Sequence, residues 1–401
     1  MNVAFVTNVV YPFVPGGAQK RIHEIGRRLA RKGHEISIYG RHYWDGSKET
    51  THEGMTLRAA APAADLYKKE GRRSITEALD FAARALPTLR RHVDEHDLVV
   101  VSVFPYFPVL TSRLCTSLSD TPLVTTWHEV WGEYWDEYLD KLGIGGKIVE
   151  RLTATLPQHA TAVSGVTADR LAQLGMDRRD IDVVPNGIDF DQVQSAPMPD
   201  DTHPRDGALG FDILFAGRLI DEKNVDILLD AFDRVAETHD VTLGIIGDGP
   251  KADKLQTHAA GLTHSERVTF LGYVAEDDAV LGHMKAADIF ASPSTREGFG
   301  ITFAEAMAAD CTVVAADHPK SAASEVLGDA GFVVEPTVDS VAASLARTLE
   351  GDRPAEPPQE RALQYDWSNI APRAERVYQS AIGQPVARSE RVYDGQNVSQ
   401  Q

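Results

Sequence analysis

The chain has 401 residues, 43% of them hydrophobic, which suits a globular protein of two domains better than a single core or a disordered chain. Its 59 acidic residues outnumber 40 basic ones, a net charge of −19, so nucleic acid, which needs a basic face, is not an expected partner. No apolar run approaches the roughly 18 residues of a membrane span, and the two distant cysteines, Cys115 and Cys311, exclude a disulfide framework and a cysteine-based metal cluster.

The start, Met1-Asn-Val-Ala-Phe-Val-Thr-Asn8, reads as a first strand and not as a signal peptide, and the scarcity of cysteine fits a reducing cytoplasm. The dispersed acidic surface favours solubility and fits adaptation to high salt, where repulsion is screened. On such a surface an anionic substrate must be held by local positive groups.

Asn2–Thr7 is an apolar strand. After it comes Pro15-Gly-Gly-Ala18, where Gly16 and Gly17 bring backbone donors to a helix start, fit for a phosphate or an acceptor, or form an ordinary turn. Ala18–Lys32 reads as a helix, with Ile22, Ile25 and Leu29 at helical spacing and Gly33 at the C-cap. Arg84, Arg90 and Arg91 share one helical stretch, the basic candidate for a membrane face. Strands are expected at Glu35–Tyr39, Leu98–Val103, Pro122–Thr126, Thr161–Ser164 and Asp182–Val184, an alternation that implies a parallel sheet covered on both faces.

The fourth of these six strands runs into Thr126-Trp-His-Glu-Val-Trp131. His128 and Glu129 sit at its end, where functional residues gather, although a lone histidine is usually structural. Gly132 denies the zinc motif H-E-x-x-H. Trp127, Trp131, Tyr134, Trp135 and Tyr138 could stack on sugars, touch a lipid or pack locally.

Ser195–Gly210, rich in Pro, Asp and Gly, reads as the linker between domains. A second α/β run follows, with strands at Asp212–Phe215, Thr242–Ile246, Val268–Leu271, Asp288–Ala291, Thr312–Ala315 and Gly331–Val334. Helices are expected at Val225–Glu237 and Lys251–Ala260, and a last helix at Asp366–Ile382 precedes a polar, mobile tail. Two such halves imply a ligand cleft between them, beyond the carboxyl ends of the strands.

Three loops of the second half carry chemistry. Ala216-Gly-Arg-Leu-Ile-Asp-Glu-Lys-Asn224 places Arg218 and Lys223 after a strand, two cations able to neutralise a diphosphate. Ile246-Gly-Asp-Gly-Pro250 resembles a dinucleotide fingerprint, but the next strand brings no acid for a ribose. Gly247 is read instead as a tight turn lining the cleft. Glu297-Gly-Phe-Gly-Ile-Thr-Phe-Ala-Glu305 sets two carboxylates around a Gly-Phe-Gly at a helix start. Its glycines admit close backbone approach, the helix start suits a phosphate, and the carboxylates accept from sugar hydroxyls.

Taken in order, these motifs, with Val183-Val-Pro-Asn-Gly-Ile-Asp189, resemble the retaining glycosyltransferases of family 4 over most of the chain. The resemblance implies the GT-B fold: two Rossmann-like α/β domains facing across a cleft. Residues 1–190 would be the acceptor side, 211–365 would hold the nucleotide sugar, and helix 366–382 would pack back on the first domain. It implies that Glu305 binds the ribose, and that Glu297, with Phe299, Gly300 and Ile301, holds the donor sugar and its phosphate. Arg218 and Lys223 would stabilise the leaving diphosphate, Gly16 and Gly17 would contact phosphate or acceptor, and His128 would lie near the sugar. No cofactor or metal is expected. The partners implied are a nucleotide-sugar donor and a glycan or lipid-linked acceptor, the latter bringing a peripheral contact with the inner membrane face. Asp310, where the family often has glycine, Thr312, where it has proline, and a missing glycine pair around His318–Ser321 depart from the pattern. Two other classes share the fold: a nucleotide-sugar epimerase or sugar phosphorylase, and a non-catalytic binder of nucleotide sugars. An epimerase would turn over without an acceptor, and a binder would not turn over at all.

Overall fold

The computed structural model describes residues 1–14, 16–65, 75–139, 143–199 and 210–384. Pro15 of the glycine motif, 200–209 of the expected linker and 385–401 of the expected tail lie outside the described residues.

The first sheet contains β1 (Asn2–Val6), β2 (Glu35–His42), β3 (Glu49–His52), β4 (Met55–Pro62), β5 (Leu98–Ser102), β6 (Leu123–Trp127), β7 (His159–Ala162) and β8 (Ile181–Val183). Their order is β3-β4-β2-β1-β5-β6-β7-β8, and all pairs are parallel except the β3–β4 hairpin. That hairpin was not expected from the sequence. Glu49-Thr-Thr-His52 is polar because it forms the sheet edge, and β4 is rich in alanine instead of β-branched residues. Strand β7 lies two residues earlier than the expected Thr161–Ser164 and ends at Ala162, because Ser164 caps the following helix by accepting from the Thr167 N–H.

Helices α1 (Gly17–Arg31), α2 (Ile75–His92), α3 (Phe107–Thr116), α4 (Tyr134–Leu139), α5 (Gly143–Thr155) and α6 (Gly165–Gln173) join and cover these strands. Helix α1 buries Ile22, Ile25 and Leu29, the stripe its spacing predicts, and stops at Gly33 with a left-handed φ of 88°.

The chain crosses to the second unit at Gly187-Ile188, earlier than the expected linker. Helix α7 (Phe190–Ser195) already contributes Val193 to the second core. The second sheet, wholly parallel, holds β9 (Ile213–Ala216), β10 (Leu243–Ile246), β11 (Val268–Gly272), β12 (Ile289–Ser292), β13 (Thr312–Ala316) and β14 (Gly331–Val334), in the order β11-β10-β9-β12-β13-β14. Around it lie α8 (Val225–Ala236), α9 (Ala252–Ala260), α10 (Asp277–Lys285), α11 (Ile301–Ala308), α12 (Ala323–Leu327), α13 (Val338–Leu349) and α14 (Pro358–Leu363).

Helix α15 (Trp367–Ala381) returns to the first unit, where Trp367, Ile370 and Tyr378 share a core with Phe5, Ile25 and Leu29. The outgoing and returning passes lie side by side. The Ile188 N–H donates to the Tyr365 carbonyl at 2.9 Å and the Trp367 N–H donates to the Ile188 carbonyl at 3.0 Å. Glycine at 187 permits this, since a Cβ there would sit 2.4 Å from the Trp367 ring.

In the first sheet the strand order reverses between β1 and β5, and in the second between β9 and β12. Ligands of open α/β sheets bind at such switch points. The loops after β1 and β12 meet each other, for a Cβ at Gly17 would lie 3.2 Å from Ile301 Cδ1.

Candidate active site

The loop after β12 is locked to the loop after β9. The Thr295 N–H donates to the Glu222 carbonyl at 2.9 Å, and Asn224 Nδ2 donates to the Pro293 carbonyl at 2.9 Å. Two ion pairs cross between the loops: Lys223 with Glu297, and Arg296 with Glu222 at 3.0 Å. On its other side the Glu297 backbone is clamped, its N–H donating to the Lys320 carbonyl at 3.2 Å and its carbonyl accepting from the Ala322 N–H at 2.9 Å. The acid of the motif is thus fixed by backbone bonds while its carboxylate holds the Lys223 ammonium. The missing glycine pair at His318–Ser321 does not prevent this clamp, since His318 Nδ1 accepts from the Lys320 N–H at 3.2 Å and orders the turn.

Gly300, with φ 83°, is the N-cap of α11, a conformation that disfavours any other residue. One turn further in, Glu305 is half-buried. Burial pushes its carboxyl up to about 7; Lys20 opposes that rise and Asp277 adds to it. Lys20 comes from α1, one turn after the exposed Gly16 and Gly17, and pairs with Asp277 at 3.2 Å. Burial works against the Lys20 charge, but Glu305 and Asp277 outweigh it and hold its pKa above the usual value. Two helix starts, of α1 and α11, therefore face one space, each with partial positive charge suited to a phosphate.

His128 follows β6. Burial, with the Arg21 guanidinium adding to it, lowers its pKa to about 3, so the ring is neutral and acts as a hydrogen-bonding group. Its Nε2 lies 3.4 Å from Ser102 Oγ. Across the cleft Gly298 abuts it so closely that a Cβ there would lie 2.0 Å from the His128 carbonyl oxygen. The His128 backbone is thereby brought against Gly298, the residue after Glu297.

Other expected residues have different surroundings. The Phe299 ring is buried in the core against Tyr365, at a centroid distance of 5.2 Å, so only its backbone can face a ligand. Gly247, at φ 139°, is required by packing: a Cβ would lie 1.9 Å from the Gly217 carbonyl oxygen, so it seats the loop that carries Arg218 and Lys223. Arg218 is exposed on that loop. Trp127 and Trp135 are buried and Trp131 stacks on Phe104 at 4.6 Å, so the aromatic cluster is mainly packing. Arg84 and Arg90 pair with Asp80 at 2.6 Å and Asp94 at 3.4 Å, so two of the three arginines of that stretch are offset by carboxylates, while Arg91 is exposed.

Lys20, Arg21 and Arg296 are absent from the sequence-based set. Arg21 is buried and donates to the Val184 carbonyl at 2.9 Å and Asn186 Oδ1 at 3.1 Å, tying α1 to the crossing segment. Arg296 pairs with Glu129 of the first unit and lies 3.5 Å from the Tyr134 ring centroid. Their only signal in the sequence was adjacency, to Gly17 and to Glu297.

Two parallel α/β units with facing switch points make the GT-B fold of glycosyltransferases. The structure is similar to that of HepE from Anabaena in complex with UDP and glucose, with a TM-score of 0.70 at 21% identity over 95% of this chain and 100% of that one. It is also similar to sucrose-phosphate synthase from Thermosynechococcus elongatus, with a TM-score of 0.74 at 16% identity over 95% and 99%. The model for Glycosyltransferase Family 4 matches residues 15–192 and that for Glycosyl transferases group 1 matches residues 210–365. A phosphatidyl-myo-inositol mannosyltransferase of Mycobacterium tuberculosis is 30% identical over 92% of this chain and 94% of its own length. The protein of that name from Mycolicibacterium smegmatis is 29% identical over 92% of each. The chain belongs to glycosyltransferase family 4 and is a glycosyltransferase. No helix among the described residues is long and apolar enough to cross a membrane.

Proposed function

We propose that the chain is a retaining transferase that moves a hexosyl group from a nucleotide-diphosphate sugar to a glycan or lipid-linked acceptor. The observation that carries this is the convergence of the Lys223–Glu297 pair, Glu305 and the exposed Gly16-Gly17 helix start on one cleft. Glu305 accepts from the ribose hydroxyls and Glu297 from the sugar. Lys223, with Arg218 and the two helix starts, stabilises the charge that develops on the departing diphosphate. The bond from the anomeric carbon to the phosphate oxygen breaks with its electron pair going to the diphosphate. The acceptor hydroxyl oxygen then bonds on the same face, through an oxocarbenium-like state, as its proton passes to the departing diphosphate oxygen. His128, neutral, orients a sugar hydroxyl. In this reading the positive charge comes from the protein, with no metal or cofactor.

Mannose is the first hexose to try, because relatives sharing more than nine-tenths of the chain are named mannosyltransferases. A lipid-linked acceptor is supported by an apolar hollow lined by Ile75, Ala78, Phe104, Phe107 and Tyr138. It is further supported by Ile144, Ile148 and Leu152, which leave one stripe of α5 exposed at 66%, 62% and 50%. The enzyme would then work in the cytoplasm at the inner membrane face. The test is a panel of nucleotide sugars read by thermal shift, followed by transfer with the best donor and NMR of the product's anomeric centre. Stabilisation by one donor and a retained anomer are expected. No hit in the panel, or an inverted product, would overturn the reading.

A further inference from the structure

We infer that His23, His52 and Glu53 form a binding site for a divalent transition metal, zinc by its ligand chemistry, that staples the β3–β4 hairpin to α1. The site is separate from the Lys223–Glu297 cleft and has no step in the transfer reaction. One ligand atom from each of the three side chains lies within 4.8 Å of the others, and no other group among the described residues combines three such side chains. His23 Nε2 is 3.3 Å from Glu53 Oε2. A tetrahedral zinc with bonds of about 2.0–2.1 Å holds its ligand atoms roughly 3.3 Å apart, so closure needs only small side-chain adjustments.

Three further observations separate this cluster from an ordinary surface ion pair. First, the His23 side chain is 6% exposed and its Nδ1 has no hydrogen-bond partner. Nε2, not Nδ1, is the nitrogen that faces Glu53, so the polar contact of this buried ring is directed to the hairpin. Second, Glu53 occupies φ 47° and Gly54 φ 79° in the two-residue turn between β3 and β4. Asparagine, aspartate or glycine is preferred at such a turn, yet here a glutamate takes the left-handed position and its carboxylate meets α1. Third, the imidazoles are walled by aromatic rings, Tyr11 at 4.9 Å from His23 and Phe13 at 5.7 Å from His52. These fix ring orientation and shield the site, as aromatic neighbours of a metal centre do.

An ion pair between His23 and Glu53 would not need His52. A metal would, and two imidazoles with one carboxylate suit zinc, whereas calcium and magnesium take oxygen donors. Three protein ligands leave a fourth position for water. Tyr11 and Phe13 belong to the segment that leads from β1 to Gly16-Gly17, so an occupied site would also brace one wall of the cleft.

The test uses untagged full-length protein, stripped with a chelator and dialysed, then titrated with Co²⁺ and followed by its visible d–d bands. Saturation at one equivalent and displacement by Zn²⁺ are expected. His52→Ala and Glu53→Gln, both at the outer side of the site, should each weaken Co²⁺ binding by at least about tenfold, the low end of what losing even an outer partner costs. The exposed His159→Ala should leave it unchanged. Absence of saturable binding at one equivalent, or binding that survives His52→Ala unaltered, would overturn the inference. Both variants are checked by circular dichroism, and nucleotide-sugar binding, which does not depend on this site's ligands, reports an intact cleft.

Discussion

Glu305 sits under two opposed demands. Burial raises its carboxyl from the usual 4.5 to about 7, so the folded chain holds the proton more tightly than the unfolded one. Stability from this group is full below pH 4.5 and is lost as pH rises through about 7. Replacing the acid by its amide removes that loss. Glu305→Gln should stabilise the ligand-free protein at about pH 8 by up to ~3 kcal/mol, read as a higher melting temperature, and change it little at about pH 4. Donor binding runs the other way, because ribose hydroxyls donate to the ionised carboxylate. Affinity for the nucleotide sugar should rise with pH through about 7 and be lost in the variant at every pH. Neutral His128 adds no second inflection, since its pKa lies near 3. A flat affinity profile from about pH 6 to 8 would remove Glu305 from the ribose site. Lys223 makes the complementary case. Lys223→Ala should lower kcat by roughly 10²–10³-fold, as losing one donor to a developing anion does. The broken pair with Glu297 should cost only about 1–3 kcal/mol of stability. Unchanged kcat at saturating donor would take Lys223 out of the mechanism.

At the scale of elements, the departures from family pattern have local answers. Asp310, two residues after α11 ends, adopts φ 71°, a left-handed position where a glycine would be free of strain. Aspartate is among the few residues that tolerate it, at some cost. Asp310→Gly should therefore stabilise the chain by roughly 0.5–1 kcal/mol after the entropy of the unfolded glycine is counted. A midpoint in urea that stays the same or falls would show that the aspartate carboxylate offsets the strain. The same local logic explains what was legible in advance. Strands β9, β10 and β12 are short, fully buried and largely apolar, and motif loops follow directly from their ends, so both strands and site loops could be read from order alone. The β3–β4 hairpin could not, because an edge strand such as Glu49-Thr-Thr-His52 carries no apolar alternation. Nor could Arg296, whose partner Glu129 lies 167 residues away in the chain. Phe299 illustrates the converse: within a binding motif its ring serves the core, and an aromatic residue flanked by glycines looks the same in sequence either way.

The whole molecule is two cores joined by a paired crossing and closed by contacts across the cleft. Lys20 meets Asp277, Arg296 meets Glu129, and the Glu325 carboxylate accepts from the Gly165 N–H at 2.7 Å. One close approach is backbone to backbone, at Gly298 and His128, with the Gly298 carbonyl also accepting from Thr167 Oγ1 at 3.3 Å. A side chain could yield to added bulk, but a Cβ placed 2.0 Å from the His128 carbonyl oxygen meets main chain and leaves only movement of the units themselves. The joint at Ile188, where the two crossing passes are hydrogen-bonded through Tyr365 and Trp367, is where such movement would be absorbed. Gly298→Ala should therefore hold the units apart. Small-angle scattering should give a larger radius of gyration than the parent, kcat should fall and KM for the donor should rise together, because Glu297 and Lys223 on one unit no longer face Gly17 and His128 on the other. Neither core is touched, so the melting temperature should barely move. Gly145→Ala, where an added Cβ meets nothing within 4 Å, is the matched control and should leave scattering and kinetics unchanged. If Gly298→Ala scatters like the parent and turns over as fast, the close approach at His128 is incidental to catalysis, and the facing helix starts of α1 and α11 must be sufficient without it.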